Sequence, residues 1–210
     1  MRHIAGLLIL SFQALCLPAA AQTLHSLTIG EELIPALKQM PKTQNYGPVG
    51  NYFAIKWSLA SGNSFSATAS PVTGKIVFLE EDFDSTPAVT DSPIPGVVLG
   101  ATTLNDIRHR FGSIGIGFTS NAETLQSGTL IGINCSGLHH SPGVFVAFVT
   151  RLSPATKFGG SAPSRIDPGD GVLVSIIVAE KIYLQEIWGT QLFFDPHYAP
   201  IDVPGLIRGN

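Results

Sequence analysis

The chain has 210 residues, of which 44% are hydrophobic and only 13% charged, about half the charged share usual in a soluble domain. So much apolar material and so little charge repulsion exclude an intrinsically disordered chain. A formal net charge of -3 gives no reason to expect a nucleic-acid partner, whose binders carry concentrated basic patches.

The N-terminus reads as a signal peptide. Met1 to His3 is a short basic start, Ile4 to Leu17 is apolar except at Gly6, Ser11 and Gln13, and Ala19 and Ala21 set a small-x-small pattern. Residues 1–21 are therefore expected to be removed after Ala21, sending the protein to the periplasm or the medium. The apolar run is shorter than the roughly 20 residues of a spanning helix, and no later stretch is long and apolar enough to be one. Cleavage removes Cys16 and leaves Cys135 alone, so no intramolecular disulfide is expected. Cys135 follows Ile131 and Ile133 in phase and reads as a small buried thiol. An intermolecular disulfide or a reactive thiol is the alternative.

Residues 22–84 read as a helix followed by a three-stranded meander. From Glu31 to Met40, Leu33, Leu37 and Met40 recur at i, i+4 and i+7, with acidic residues in the first turn and Pro41 as the stop. From Tyr52 to Leu59, Phe53, Ile55, Trp57 and Leu59 face one way, and Ala54, Lys56 and Ser58 the other. Turns at Ser61 to Asn63 and Pro71 to Gly74 then separate strands at Ser64 to Ser70 and Lys75 to Phe83. Residues 85–96 form a proline-rich connector.

Residues 97–194 repeat the order. Thr103 and Asp106 suggest a capping box, Leu104, Ile107 and Phe111 an apolar stripe, and Gly112 the stop of a second helix. Arg108, His109 and Arg110 suit its negative end better than they suit an anion site. Strands are expected at Ile114 to Thr119, Thr129 to Cys135, Val144 to Leu152, Val172 to Glu180 and Ile182 to Trp188. One constant spacing separates Leu33 from Leu104, Ala36 from Ile107 and Met40 from Phe111, and Ile29-Gly30 and Leu99-Gly100 precede the two helices. This reads as an internal duplication, with chance spacing as the alternative. Residues 195–210 read as an extended tail that Tyr198 and Ile201 dock.

The doubled helix-then-meander order, with its apolar-Gly openings, resembles the tandem repeats of the β-lactamase inhibitor protein and of the small outer-membrane assembly lipoproteins. The resemblance spans residues 26 to 190. It implies an α+β fold, secretion, and a sheet surface that binds another protein. No motif position allows its binding residues to be carried over, and the lone mature cysteine departs from the inhibitor's disulfide-bearing repeats.

Catalytic signatures are few. Asp82, Asp84 and Thr86 follow an apolar strand and look like the Asp-x-Asp-x-Thr of haloacid-dehalogenase-type phosphatases, but that chemistry needs a doubly wound parallel sheet. The plainer reading is a solvated acidic strand end at Glu80 to Asp84. Cys135 with His139 or His140, joined by Asp195 and His197, has the ligand types of a zinc site without its spacing. An exposed turn at Gly137 to Gly143 is the plainer reading there too. Serine-hydrolase, phosphate-loop and dinucleotide motifs are missing from the sequence. The Gly-, Pro- and Ser-rich loop 153–171 and the tail 195–210 are candidate partner-binding segments, with simple flexibility or tail packing as the alternative.

The expectation is an α+β protein, mainly antiparallel sheet with few helices, in one unit or two similar halves. Its helices should cover one sheet face through Leu33, Leu37, Leu104, Ile107 and Phe111. The function expected is that of an exported, non-catalytic binding or inhibitor-like protein, with no cofactor and no metal. Its partner would be another envelope or extracellular protein, held on the opposite face at Tyr52 and Lys56. A secreted hydrolase using Asp82 and Asp84, or a Cys135, His139 and His140 metal site, is the alternative.

Overall fold

Successive side chains of the strands point to opposite faces of the sheet, and antiparallel pairing joins the strands into a single large sheet. A computed structural model describes residues 22–40, 45–84, 89–112, 115–118, 131–151, 168–189, 192–194 and 198–206. The expected signal segment 1–21, most of the loop 153–171, and Asp195 and His197 lie outside the described residues. The first half contributes β3 (Asn45–Val49), β4 (Tyr52–Ser58), β5 (Ser64–Ala69) and β6 (Ile76–Asp82). The second contributes β9 (Ile116–Phe118), β10 (Ile131–Leu138), β11 (Ser141–Arg151), β12 (Val172–Glu180) and β13 (Leu192–Phe194). These form a nine-stranded antiparallel sheet in the order β13-β9-β10-β11-β12-β6-β5-β4-β3. The fold is thus α+β and mainly antiparallel, as expected. The last strands of the two meanders, β6 and β12, meet at its centre.

One face carries the main core. Ile55, Trp57, Phe65, Leu79, Phe148, Ile176 and Val178 are covered there by the helices α1 (Leu33–Ala36) and α2 (Leu104–Phe111), through Leu33 and Ile107. Leu37 and Phe111 pack partly buried against the same cluster, and Leu104 is fully buried. The hairpin of β1 (Thr23–Leu24) and β2 (Leu27–Thr28) adds Leu24 and Leu27. The C-terminal segment adds Ile201, Val203 and Leu206. Tyr198 and Ile201 do dock this segment: the Gly137 N–H donates to the Tyr198 hydroxyl at 2.9 Å, and Ile201 exchanges backbone bonds with Gly137 and His139. The connector also has structure, because β7 (Thr90–Asp91) pairs with β8 (Val98–Leu99) and Ile94 is buried between them.

The short strands β1, β2, β7, β8 and β13 are additions to the sequence reading, and two further elements differ from it. Lys181–Trp188 is a helix, α3, where a strand was expected at Ile182 to Trp188. Ile182, Leu184 and Trp188 fit period two, but the buried residues are the neighbours Tyr183 and Leu184, while Ile182 and Ile187 are exposed. On α3 these two neighbours share the face that packs on the sheet, whereas in a strand they would point to opposite sides. α3 also lies on the opposite sheet face from α1 and α2, where Tyr183 and Leu184 cover Phe145, Ala147, Ile177 and Ala179. The helices therefore do not share one face. The second difference is β3, whose Gly47 and Pro48 disguise a strand; proline is tolerated there because β3 is an edge.

The two helix openings make the same bonds to the two central strands. Gly30 N–H donates to Ile76 O, Ile76 N–H to Glu31 O, and Leu33 N–H to Gly74 O, at 2.8, 2.8 and 3.0 Å. In the second half, Gly100 N–H donates to Leu173 O, Leu173 N–H to Thr102 O, and Leu104 N–H to Gly171 O, at 2.9, 2.8 and 2.9 Å. Gly30 and Gly100 have φ of 86° and 83°, a conformation that favours glycine. These bonds occupy Glu31 and Glu32, so α1 begins at Leu33 and continues as a 3-10 turn at Leu37–Gln39. α2 has the expected capping box, with Asp106 N–H donating to Thr103 Oγ1 and Thr103 N–H to Asp106 Oδ2. Among the described residues no helix is long and apolar enough to cross a membrane.

Candidate functional site

The face bearing α3 divides into an apolar half and a polar half, and the division follows from register. One row of paired residues crosses it as Lys56, Ser66, Glu80, Ile177, Ala147 and Cys135. The first three, from β4, β5 and β6, are polar. The last three, from β12, β11 and β10, are buried against α3. The flanking row toward the start of β6 runs Ala54, Thr68, Phe78, Ala179 and Phe145, and the row toward its end runs Ser58, Ser64, Asp82, Ser175 and Val149. α3 can gain burial only over the apolar side, so the polar side is left uncovered.

A cavity of about 380 Å³ opens there, lined by Gly47, Pro48 and Val49 of β3, Ala54 and Lys56, Ser66 and Thr68, Phe78 and Glu80, and Tyr183 of α3. Its wall is mostly apolar and its charge sits at Lys56 and Glu80. A second cavity of about 340 Å³ shares those two residues and extends over Ser64, Asp82, Asp84, Arg151 and Ser175. Glu80 is half-buried, and its Oε1 accepts a hydrogen bond from the Ser175 hydroxyl at 2.9 Å. Burial, and next to it the charge of Asp82, push the Glu80 carboxyl up to about 7; the Ser175 bond and Lys56 oppose them. Lys56 Nζ lies 3.5 Å from Asp82 Oδ2, and both side chains are largely exposed, so the pair contributes less than about 1 kcal/mol.

The two expected binding residues are placed apart. Lys56 is exposed and lines both cavities. Tyr52 lies beside them under α3, where its hydroxyl donates to Glu186 and its ring meets Tyr183 edge-on at 4.7 Å. The Glu186 bond, followed by burial, raises the Tyr52 hydroxyl to about 12.

The acidic strand end is not simply solvated. Glu81 points into the main core with 1% of its surface exposed, and it accepts from Asn63 Nδ2 at 2.7 Å and meets His25 Nε2 at 2.8 Å. Asp84 is exposed. β6 is flanked by antiparallel β5 and β12, so Asp82 and Asp84 do not stand at the end of a parallel strand as the phosphatase reading needs. Cys135 is buried and free, and burial pushes its thiol above the ordinary cysteine range. His139 and His140 are exposed on the β10–β11 turn, with His140 Nε2 3.5 Å from Asp202 Oδ1. Of the proposed zinc ligands that are described, Cys135 is thus buried while His139 and His140 are exposed. Among the described residues there is no group of three or more His, Cys, Asp or Glu positioned for a metal.

This is a two-sided antiparallel sheet whose second face, among the described residues, is covered over its apolar half only. No protein-family model, curated protein or solved structure matches the chain.

Proposed function

We propose that the protein is an exported, non-enzymatic binding module that takes another envelope or extracellular protein on the uncovered half of its second sheet face. The observation that carries this reading is the two adjoining cavities over Lys56 and Glu80. Their floor is made of paired strands, so little side-chain or backbone entropy is lost on binding. Lys56 is the contact residue, and Tyr52 holds α3 at the rim. The matching openings at Gly30 and Gly100 support the likeness to tandem helix-plus-meander binding proteins. The signal-like start, Met1 to Ala21, supports export.

The test is capture by the immobilised protein from envelope fractions and culture fluid. A Tyr52→Phe, Lys56→Ser variant should melt near the parent temperature yet hold its partner at least tenfold more weakly, about 1.4 kcal/mol. Equal capture by the variant, or no partner for the parent, overturns the proposal. One observation favours a second reading, a secreted hydrolase. Glu80, half-buried beside the Asp82 carboxyl, keeps its proton to about 7, and a carboxyl that holds its proton near neutral pH suits a general acid. Turnover of an ester, phosphoester, peptide or glycan by the parent, abolished in Glu80→Gln, would establish that reading instead.

A further inference from the structure

We propose that the larger cavity receives a single cationic side chain of the partner, a lysine or arginine, whose stem lies against Phe78, Ala54 and Tyr183 and whose charge meets Glu80. The inference rests on the binding-module reading and deepens it.

Charge balance in the two cavities carries the argument. Their described lining holds three carboxyl groups, Glu80, Asp82 and Asp84, against two cations, Lys56 and Arg151. Lys56 is already beside Asp82 at 3.5 Å. The groups acting on Glu80 are Asp82 on its own strand, Lys56 from β4, and the hydroxyl of Ser175 from β12; Tyr183 of α3 faces the same cavity. Glu80 thus has a hydrogen-bond donor but shares its nearest cation with a competing carboxylate. With Glu80 ionised, as it is above about pH 7, an anion entering here would add to that excess of negative charge. A monocation supplies the missing positive charge and allows Glu80 to ionise in place of holding a proton.

The walls decide the rest of the ligand. Gly47, Pro48, Val49, Ala54 and Phe78 present apolar surface along the approach to Glu80. A small hydrated cation gains nothing from that surface, whereas the methylene stem of lysine or arginine buries along it while its charged end reaches the carboxylate. Arginine adds a fork that matches a carboxylate with two parallel bonds.

Three capped peptides, acetyl-Val-Arg-Val-amide and its citrulline and glutamate counterparts, test this on the intact chain by NMR titration at pH 8. The arginine peptide should bind at least tenfold more tightly than either counterpart, and its binding should lower the titration midpoint of Glu80. The preference for arginine over citrulline should vanish in Glu80→Gln and persist in Lys56→Gln. Equal binding of all three peptides, no binding of any, or an arginine preference that survives in Glu80→Gln overturns the inference. Partner capture by parent and Glu80→Gln, run in parallel, separates the two proposals. Capture by the parent that is unaffected by Glu80→Gln removes the cation site and leaves the module. An arginine preference in a parent that captures nothing does the reverse.

Discussion

Glu80 and Ile177 are paired across the centre of the sheet, and each holds in its own meander the position that the other holds in the second one. Ile76 and Leu173 receive the same bonds from the two helix openings, and the same count along β6 and β12 leads to Glu80 and Ile177. The neighbouring strands agree, because the register slips between Thr68 and Ala69 on β5 and at the matching place between Val149 and Thr150 on β11. The same backbone therefore carries a carboxylate on one side and an isoleucine on the other. That difference is why α3 covers one half and not the other.

Glu80 should make stability fall as pH rises. Its proton is held to about 7 in the folded protein, against 4.5 ordinarily, so the unfolded chain releases it first and unfolding gains as pH climbs between those values. The penalty is absent near pH 4 and complete above about 7, where it amounts to at most about 3 kcal/mol. Glu80→Gln should match the parent near pH 4 and exceed it at pH 8. Denaturant unfolding at the two pH values checks this, and an unchanged difference between them refutes it.

Removing Glu81 should be costly. Glu81→Ala leaves the Asn63 amide and the His25 ring without their buried acceptor, a loss of about 2–4 kcal/mol. Thermal unfolding should show it as the largest drop among the acidic residues of β6, with Asp82→Asn well below 1 kcal/mol.

Thr103→Ala should cost about 1 kcal/mol by opening the N-terminus of α2. The Thr103 backbone bond holds the Asp106 carboxyl below its usual range, and the Thr103 hydroxyl adds to this. A carboxyl lowered in this way stabilises the fold above its unfolded value and loses that contribution as pH falls through the folded one. The cost of Thr103→Ala should therefore shrink in acid, which urea titrations at pH 3 and pH 6 will measure.

Gly30→Ala and Gly100→Ala should be equally damaging, by about 1–2 kcal/mol each. Nothing lies within 4 Å of a Cβ built at Gly30, so its cost is purely the φ of 86°. Calorimetry on the two variants should give the same loss within error if the two openings are mechanically alike.

Much of the sheet is legible from alternation. Ile55 and Trp57 are buried and Lys56 and Ser58 exposed, as period two requires. α2 is legible too, since its cap, stripe and glycine agree on one answer. α3 is not, because β12 runs into it through Glu180 with no turn residue to mark the change. The site is half legible. Lys56 stands out as a cation on an open strand face, but nothing local in Leu79-Glu80-Glu81-Asp82 says that one carboxylate enters the core and its neighbour a cavity. Those fates are set by Asn63, His25, Ser175 and Tyr183, which the chain brings from four other elements.

The central pairing of β6 with β12 also constrains the order in which the chain can mature. When β6 has left the ribosome, the strand that seals its open edge is still to be made, beyond the connector, α2 and two long strands. Through that interval the first meander presents an unpaired edge of Val77, Phe78 and Leu79, a template for pairing with another chain. Slow translation or truncation before Val172 should thus favour aggregates over a stable half, and a holding chaperone would act on this strand before any other.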